Sequence, residues 1–267
     1  RFNADILVRH GIQFTFRNMR HSATQRLVNH YLMADGSKIQ DQPGYETMTY
    51  NQQFQNRDPR MAQTLMAPGY VDLNGIDEVI EDCKSYDMTG YRFIKFVSDD
   101  THNGATTSTT DWPVFRYPEI LLTYAEAKAE LGEFSETVWN ATIKLLRERA
   151  GVDGTMPSAY DPYMAEYFLN TTTDMAILEI RRERGIELLL ENCRWDDDMR
   201  WGMGKLLEQP WYGVYVGELG KVYDMDGDGT GDVCFVRESP SVSEPGVTYR
   251  VPVSYTHLRA HETRGNL

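Results

Sequence analysis

Cysteine is scarce: the chain has three in 267 residues, Cys83, Cys193 and Cys234. Their spacing fits no zinc motif, and an odd count builds no closed disulfide framework. They read as buried or free thiols and do not reveal the compartment. Long apolar runs are missing too, since no stretch reaches the roughly 18 residues of a membrane-spanning helix. Basic residues are few, with 27 Lys and Arg against 40 Asp and Glu and a net charge of −13. Such a surface repels the phosphates of nucleic acid and anionic lipid. No Gly-rich phosphate loop and no G-x-S-x-G nucleophile elbow occur. His10, His21, His30 and His102 show no metal pairing and no partner for a nucleophile, so each reads as a surface or capped residue. An export signal is absent as well. The chain opens at Arg1 without Met, in sequence that reads as mid-domain, and the expectation is that the natural beginning lies upstream.

What is present is enough for a core: 41% of residues are hydrophobic, and the length suits one large domain or two small ones. Aromatics make up 12%, with 16 Tyr and 5 Trp. Each offers a rigid apolar face, and Tyr and Trp add a polar tip, which suits flat, hydroxylated ligands as well as core packing. At the other end, VSYTHLRAHET resembles the translation of a common sequencing adaptor. Residues 253–267 are therefore set aside as a tail foreign to the domain, which is assigned to residues 1–252.

The first part of the chain is weakly periodic. Residues 23–34 carry Leu27, Val28, Tyr31 and Leu32 at helical spacing, stopped by Asp35-Gly36. Residues 40–55 are polar and Tyr-rich and read as loop. Asp58 and Pro59 suit the cap and first turn of a short helix. Residues 90–97, GYRFIKFV, read as a strand, and residues 99–110 as a loop. From Tyr117 the pattern becomes helical: Ile120, Leu121, Tyr124, Ala127 and Leu131 recur at three and four, then Gly132. Val138, Ala141, Thr142, Leu145 and Leu146 form a second stripe closed by Gly151. Residues 151–173 read as an insertion. Asp174 caps a long helix through Ile177, Ile180, Arg184, Leu188 and Glu191, and residues 194–200 form a short one. Small alanines beside Leu121 and Tyr124 resemble the first helix of a tetratricopeptide repeat. The spacing exceeds that repeat's period of about 34 residues, so two hairpins with a loop between them are expected. Short strands are expected at 233–237 and 248–251.

The segments ATQRLVNHYLMADG (23–36), RDPR (57–60), TGY (89–91), RYPEILLTYAEAKAE (116–130), LRERAGV (146–152) and RRERGIELLLENCRWDDDMRW (181–201) occur in this order. Together they resemble the C-terminal region of the SusD/RagB family of surface glycan-binding lipoproteins. The resemblance implies a mainly α fold: tetratricopeptide-like hairpins with long irregular loops and a few short strands. It also implies capture of an oligosaccharide or polysaccharide and its delivery to a SusC-like TonB-dependent transporter at the outer membrane. Contact with the membrane would run only through a lipid anchor that this sequence does not contain. The family's N-terminal part, with its lipidated cysteine, has no counterpart here.

The sharpest ionic motif is residues 224–232, DMDGDGTGD. Asp224, Asp226 and Asp228 alternate, with a glycine at the sixth position, as in the first half of a calcium loop. Thr230 and Asp232 are candidates to complete it. The twelfth position is Phe235 where that motif has Glu. No cofactor is required, and a structural calcium is the one ion implied; the alternative is a plain Gly/Asp turn. Asp196, Asp197 and Asp198 invite comparison with glycosidase carboxylates. Successive helical residues point in different directions, however, whereas hydrolysis needs two acids facing across a sugar. They are read as an ion-pair network with Arg181, Arg182, Arg184, Arg194 and Arg200, joined by Glu183, Glu187 and Glu191. Loop aromatics are the candidate sugar contacts: Trp112, Tyr160, Tyr163, Trp211, Tyr212 and Tyr215. The rival readings are a tetratricopeptide-type adaptor with a peptide groove and a glycosidase with two facing acids.

Overall fold

The computed structural model describes residues 11–18, 21–71, 89–97, 108, 110–238 and 240–251. The adaptor-like tail, Cys83, His10, His102 and nearly all of the loop at 99–110 lie outside the described residues.

Among the described residues, four short helices come first: α1 Ile12–Asn18, α2 Gln25–Val28, α3 Tyr50–Phe54 and α4 Pro59–Thr64. Asp58 caps α4 through its side chain, with Pro59 in the first turn, as the sequence indicates. The helix expected over 23–34 contracts to α2. The region expected as loop holds α3, started by a reciprocal capping box between Thr49 and Gln52. Residues 90–97 form no strand. Arg92 and Phe93 make single bridges to Ser22 and Leu65, and the chain then turns at Phe96, whose φ is 69°.

The helical hairpins follow: α5 Tyr117–Glu130, α6 Glu136–Ala141, α7 Ile143–Ala150, α8 Pro162–Tyr167, α9 Met175–Glu187 and α10 Arg194–Arg200. Helix α5 packs on α9 and on the α6–α7 pair. Its buried face carries Leu122, Ala125 and Glu126, whereas Ile120, Tyr124 and Leu131 from the expected stripe are exposed. The helix is rotated because Glu126 must face inward, where it accepts hydrogen bonds from Arg200 and from Trp201 Nε1. The expected second helix is broken at Thr142 (φ −131°, ψ −89°), whose hydroxyl donates to the Val138 carbonyl. Val138, Trp139, Ile143 and Leu146 are buried there, and Leu145 is exposed. The supposed insertion contains α8, capped by Asp161. Asp174 caps α9 as expected. That helix stops at Glu187, where Leu188 leaves helical geometry (φ −101°, ψ 16°), and beyond it Leu190 and Asn192 take left-handed backbone (φ 63° and 66°). A three-stranded sheet is the last of the described elements. β1 Val222–Tyr223 runs antiparallel to β2 Val233–Phe235, and β3 Thr248–Arg250 runs parallel to β2.

Helix α9 is the spine. Ile180 joins the core of α5–α7, Ile186 the core built on α2–α4 and the sheet, and Leu178 the core around α8. Every residue from Ala176 to Glu187 is buried, including Glu179, Arg181, Arg182, Glu183, Arg184 and Glu187. Buried charge is costly unless paired and hydrogen-bonded, and here the partners come from many segments. Glu183 takes Arg60 Nη1 at 3.0 Å and Arg147 Nε at 2.6 Å. Glu187 takes Arg60, Arg116 and Arg149. Arg182 pairs with Asp161 and Glu179, and Arg147 also reaches Glu179. Glu191, just beyond the helix, holds Lys95 and Arg116. Burial opposes ionisation of Glu183, but Arg60 and Arg147 outweigh it and bring its pKa down to about 2. Arg57 follows a different logic: its guanidinium donates to the carbonyls of Gln53, Val28 and Tyr31 and ties the α2 turn to α3.

Candidate functional site

The six candidate aromatics fall in separate surroundings. Trp112 stacks on Phe96 with ring centroids 5.2 Å apart. Tyr163 lies in the first turn of α8, with Lys38 Nζ 5.7 Å from its ring centre, and Tyr160 is exposed just before that helix. Trp211, Tyr212 and Tyr215 share the segment after the last helix. Of the six, Trp211 lines a cavity of about 260 Å³. The cavity is walled also by Leu27, Phe93, Tyr167, Leu188 and Leu189, with Arg26, Arg184, Arg194 and Asp198 among its polar groups.

Backbone contacts hold Trp211 there. The Tyr212 carbonyl accepts from Gln25 N–H, and Val214 N–H donates to the Thr89 carbonyl, both at 2.8 Å. The Thr89 hydroxyl in turn donates to the Ala23 carbonyl at 2.6 Å. The segment 89–91 is thus clamped between 23–25 and 212–214. The approach is so close that a Cβ on Gly213 would lie 2.3 Å from the Thr89 oxygen, which explains glycine at that position.

The arginines of the cavity are anchored from behind. Arg184 makes a two-pronged pair with Asp197, and Arg194 Nε donates to Asp198 at 3.0 Å. Arg26 Nη1 donates to Gln209 at 3.1 Å, and its guanidinium lies 5.0 Å from the Tyr167 ring centre. Asp197 also receives Arg200, so Asp197 and Asp198 are engaged in ion pairs, as the sequence suggests. Arg181 departs from that reading: it stacks on Phe168 and Trp201, at 5.0 and 4.7 Å. Arg182 points to Asp161 and Glu179 instead of the aspartate triplet. Under the cavity lies His30, its ring 4.2 Å edge-on from Tyr167. Burial, then Arg194, Arg182 and Arg26, lower its pKa well below the ordinary value, so it is neutral. Tyr167, Arg26 and Arg194 sit on or beside helices and so are not loop aromatics, and His30, expected at the surface or capped, is buried instead. The run of arginines through Arg194 was the available signal.

The acidic loop joins β1 to β2. One oxygen each from Asp224, Asp226 and Asp232 lies within 4.8 Å of the others, an arrangement of hard donors that suits a calcium-like cation. Burial and the carboxylates of Asp232, Asp228 and Asp224 push the Asp226 pKa up against the backbone hydrogen bond from Asp228. Asp228 lies outside the cluster, and its carboxylate accepts from Thr230 N–H at 2.6 Å. Among the described residues, no helix is long and apolar enough to cross a membrane.

Fold and site together define a helical-hairpin protein with a cavity formed where its loops meet the central helix. The family model described as the SusD family matches residues 17–262, and the chain belongs to that family. A SusD-like protein from Bacteroides fragilis NCTC 9343 is similar at 25% identity and a TM-score of 0.52, over 74% of this chain and 40% of its own. The selenomethionine form of BT4246 is similar in fold, at 19% identity and a TM-score of 0.52, over 72% of this chain and 39% of its own. The chain thus spans about 40% of the length of the first of these. Comparison with curated proteins gives no match.

Proposed function

We propose that the protein is a non-catalytic glycan receptor of the outer membrane, capturing oligosaccharide or polysaccharide and passing it to a TonB-dependent transporter. Membership of the SusD family carries the reading. The cavity beside Trp211 supports it, because an aromatic face next to hydrogen-bonding groups suits the C–H and hydroxyl faces of a sugar ring. Trp112, Tyr160, Tyr163, Tyr212 and Tyr215 are proposed as further contacts along a chain of sugars. Engagement of Asp197 and Asp198 with arginines favours binding over hydrolysis at the triplet. The Asp224, Asp226 and Asp232 cluster is proposed to take a structural calcium that stiffens the β1–β2 connection. At the cell surface, the receptor is proposed to be held by a lipid anchor.

The test is affinity electrophoresis through gels cast with a panel of polysaccharides, paired with a reducing-end assay on whichever polymer retards the protein. Retardation without new reducing ends is expected. Release of reducing ends would overturn the receptor reading in favour of a glycosidase. Passage without retardation by any polymer would favour a protein-binding adaptor.

A further inference from the structure

Helix α5 carries apolar side chains on two opposite faces. Pro118, Leu122 and Ala125 are buried, together with Glu126, on the side that packs against α9 and the α6–α7 pair. Tyr117, Ile120, Tyr124, Ala127 and Leu131 lie on the other side, and all five are exposed. Tyr117 is 70% exposed, Ile120 53% and Leu131 69%. A surface helix ordinarily turns charged and polar residues to solvent, and apolar residues on both faces mark a buried helix. Val114 and Phe115, just before the helix, are exposed too and lengthen the patch. Single exposed apolar residues call for no explanation, but a contiguous run of them marks an interaction site.

The spacing says what shape of partner fits. The exposed positions follow one another at three, four, three and four residues, which draws a straight stripe about 21 Å long down the helix. Such a stripe is the seam along which a second helix packs at a shallow crossing angle. Polar side chains border it, Lys128 along one edge and Thr123 and Glu130 along the other, as at the rim of an interface. A sugar finds no concave wall on this convex face. A second copy of the chain is disfavoured, because each copy brings a net charge of −13. Stacked helical hairpins, by contrast, are covered on both sides by their neighbours. Among the described residues α5, the first helix of such a hairpin, is covered on one side only. The stretch matches only 40% of the length of a SusD-like chain, so most of such a chain lies outside it.

We infer that the outer stripe of α5 is the seat of a helix from the part of a SusD-like domain that precedes this stretch, which makes α5 an interior helix of the complete domain. The inference rests on family membership and on the stripe, and it does not depend on the glycan-receptor reading.

Hydroxyl-radical footprinting read by mass spectrometry, on the 267-residue chain and on the full product of its gene, tests it. In the 267-residue chain Tyr117, Tyr124 and Leu131 are expected to label as exposed residues. In the full product their labelling is expected to fall to the level of the buried Leu122. Ile120→Glu is expected to lower the melting temperature of the full product and to leave that of the 267-residue chain unchanged. Should that variant fail to fold in the full product, the footprint of the wild type decides. Unaltered labelling of the stripe in the full product overturns the inference, as does a gene that encodes nothing upstream of Arg1. An equal fall in melting temperature in both chains also overturns it, since Ile120 would then already belong to the core. Protection of the 267-residue chain that grows with its concentration assigns the stripe to a second copy. Protection of the full product only when a TonB-dependent transporter is added assigns the stripe to that partner. Either of these overturns the inference.

Discussion

Replacing Glu183 by glutamine tests how the central helix is held. The side chain is fully buried and accepts from Arg60 and Arg147, which approach from different parts of the chain. Glutamine keeps the shape but removes the charge, leaving two buried guanidinium groups short of a counterion. Removing one partner of a buried pair costs about 3–5 kcal/mol. Arg60 keeps Asp58 and Glu187, and Arg147 keeps Glu179, so the lower end, about 3 kcal/mol, is expected. For a domain of this size that corresponds to a fall in Tm of about 6–12 °C. The pH dependence gives an independent reading. The folded pKa of about 2 lies below the ordinary 4.5, so ionised Glu183 stabilises the fold. That contribution is complete above about pH 4.5 and is lost as pH falls towards 2. Urea denaturation at pH 7 and at successive acid steps should show a Glu183→Gln deficit that narrows on acidification. A deficit below about 1 kcal/mol at pH 7, or one that does not narrow, would refute the claim that this pair fastens α9.

Three further outcomes follow from the packing and the loop. Gly213→Ala places a Cβ against the Thr89 carbonyl and should destabilise the protein by about 2–3 kcal/mol in urea titration, with a shift in Trp fluorescence as the 211–214 segment moves. Arg57→Met strands the carbonyls of Val28, Tyr31 and Gln53 and should cost about 3 kcal/mol by the same titration. Calcium at about 100 times its Kd should stabilise the wild type by about 2.7 kcal/mol, an effect lost in Asp226→Asn and reversed by chelator. A Tm indifferent to calcium would remove the cation from the account.

The helical hairpins were legible because their capping residues act locally: Asp58, Asp174 and Gly151 end or begin helices by hydrogen bonds and backbone preferences within a few residues. The facing of α5 was not legible, since that helix carries two apolar stripes. The choice between them depends on Glu126 meeting Arg200 and Trp201 from another part of the chain. The segment 90–97 has the composition of a strand but, among the described residues, pairs only through single bridges. The break at Thr142 coincides with a side-chain hydrogen bond to the Val138 carbonyl that propensity does not register. For the site, aromatic content pointed to Trp211. The cavity also needed Arg26, Tyr167 and Arg194, which the fold gathers from three distant segments. The acidic loop was legible in its motif, and its folding brings the carboxylates of Asp224, Asp226 and Asp232 together.

The most direct test of the receptor claim is isothermal titration calorimetry of the polysaccharide that retards the protein, against wild type and Trp211→Ala. The account predicts saturable binding by the wild type and at least about a tenfold loss in the variant, since a stacking aromatic contributes on the order of 1.4 kcal/mol. Equal affinity of the two proteins would contradict the placement of the sugar at this cavity, and the absence of binding to every polysaccharide would contradict the receptor itself.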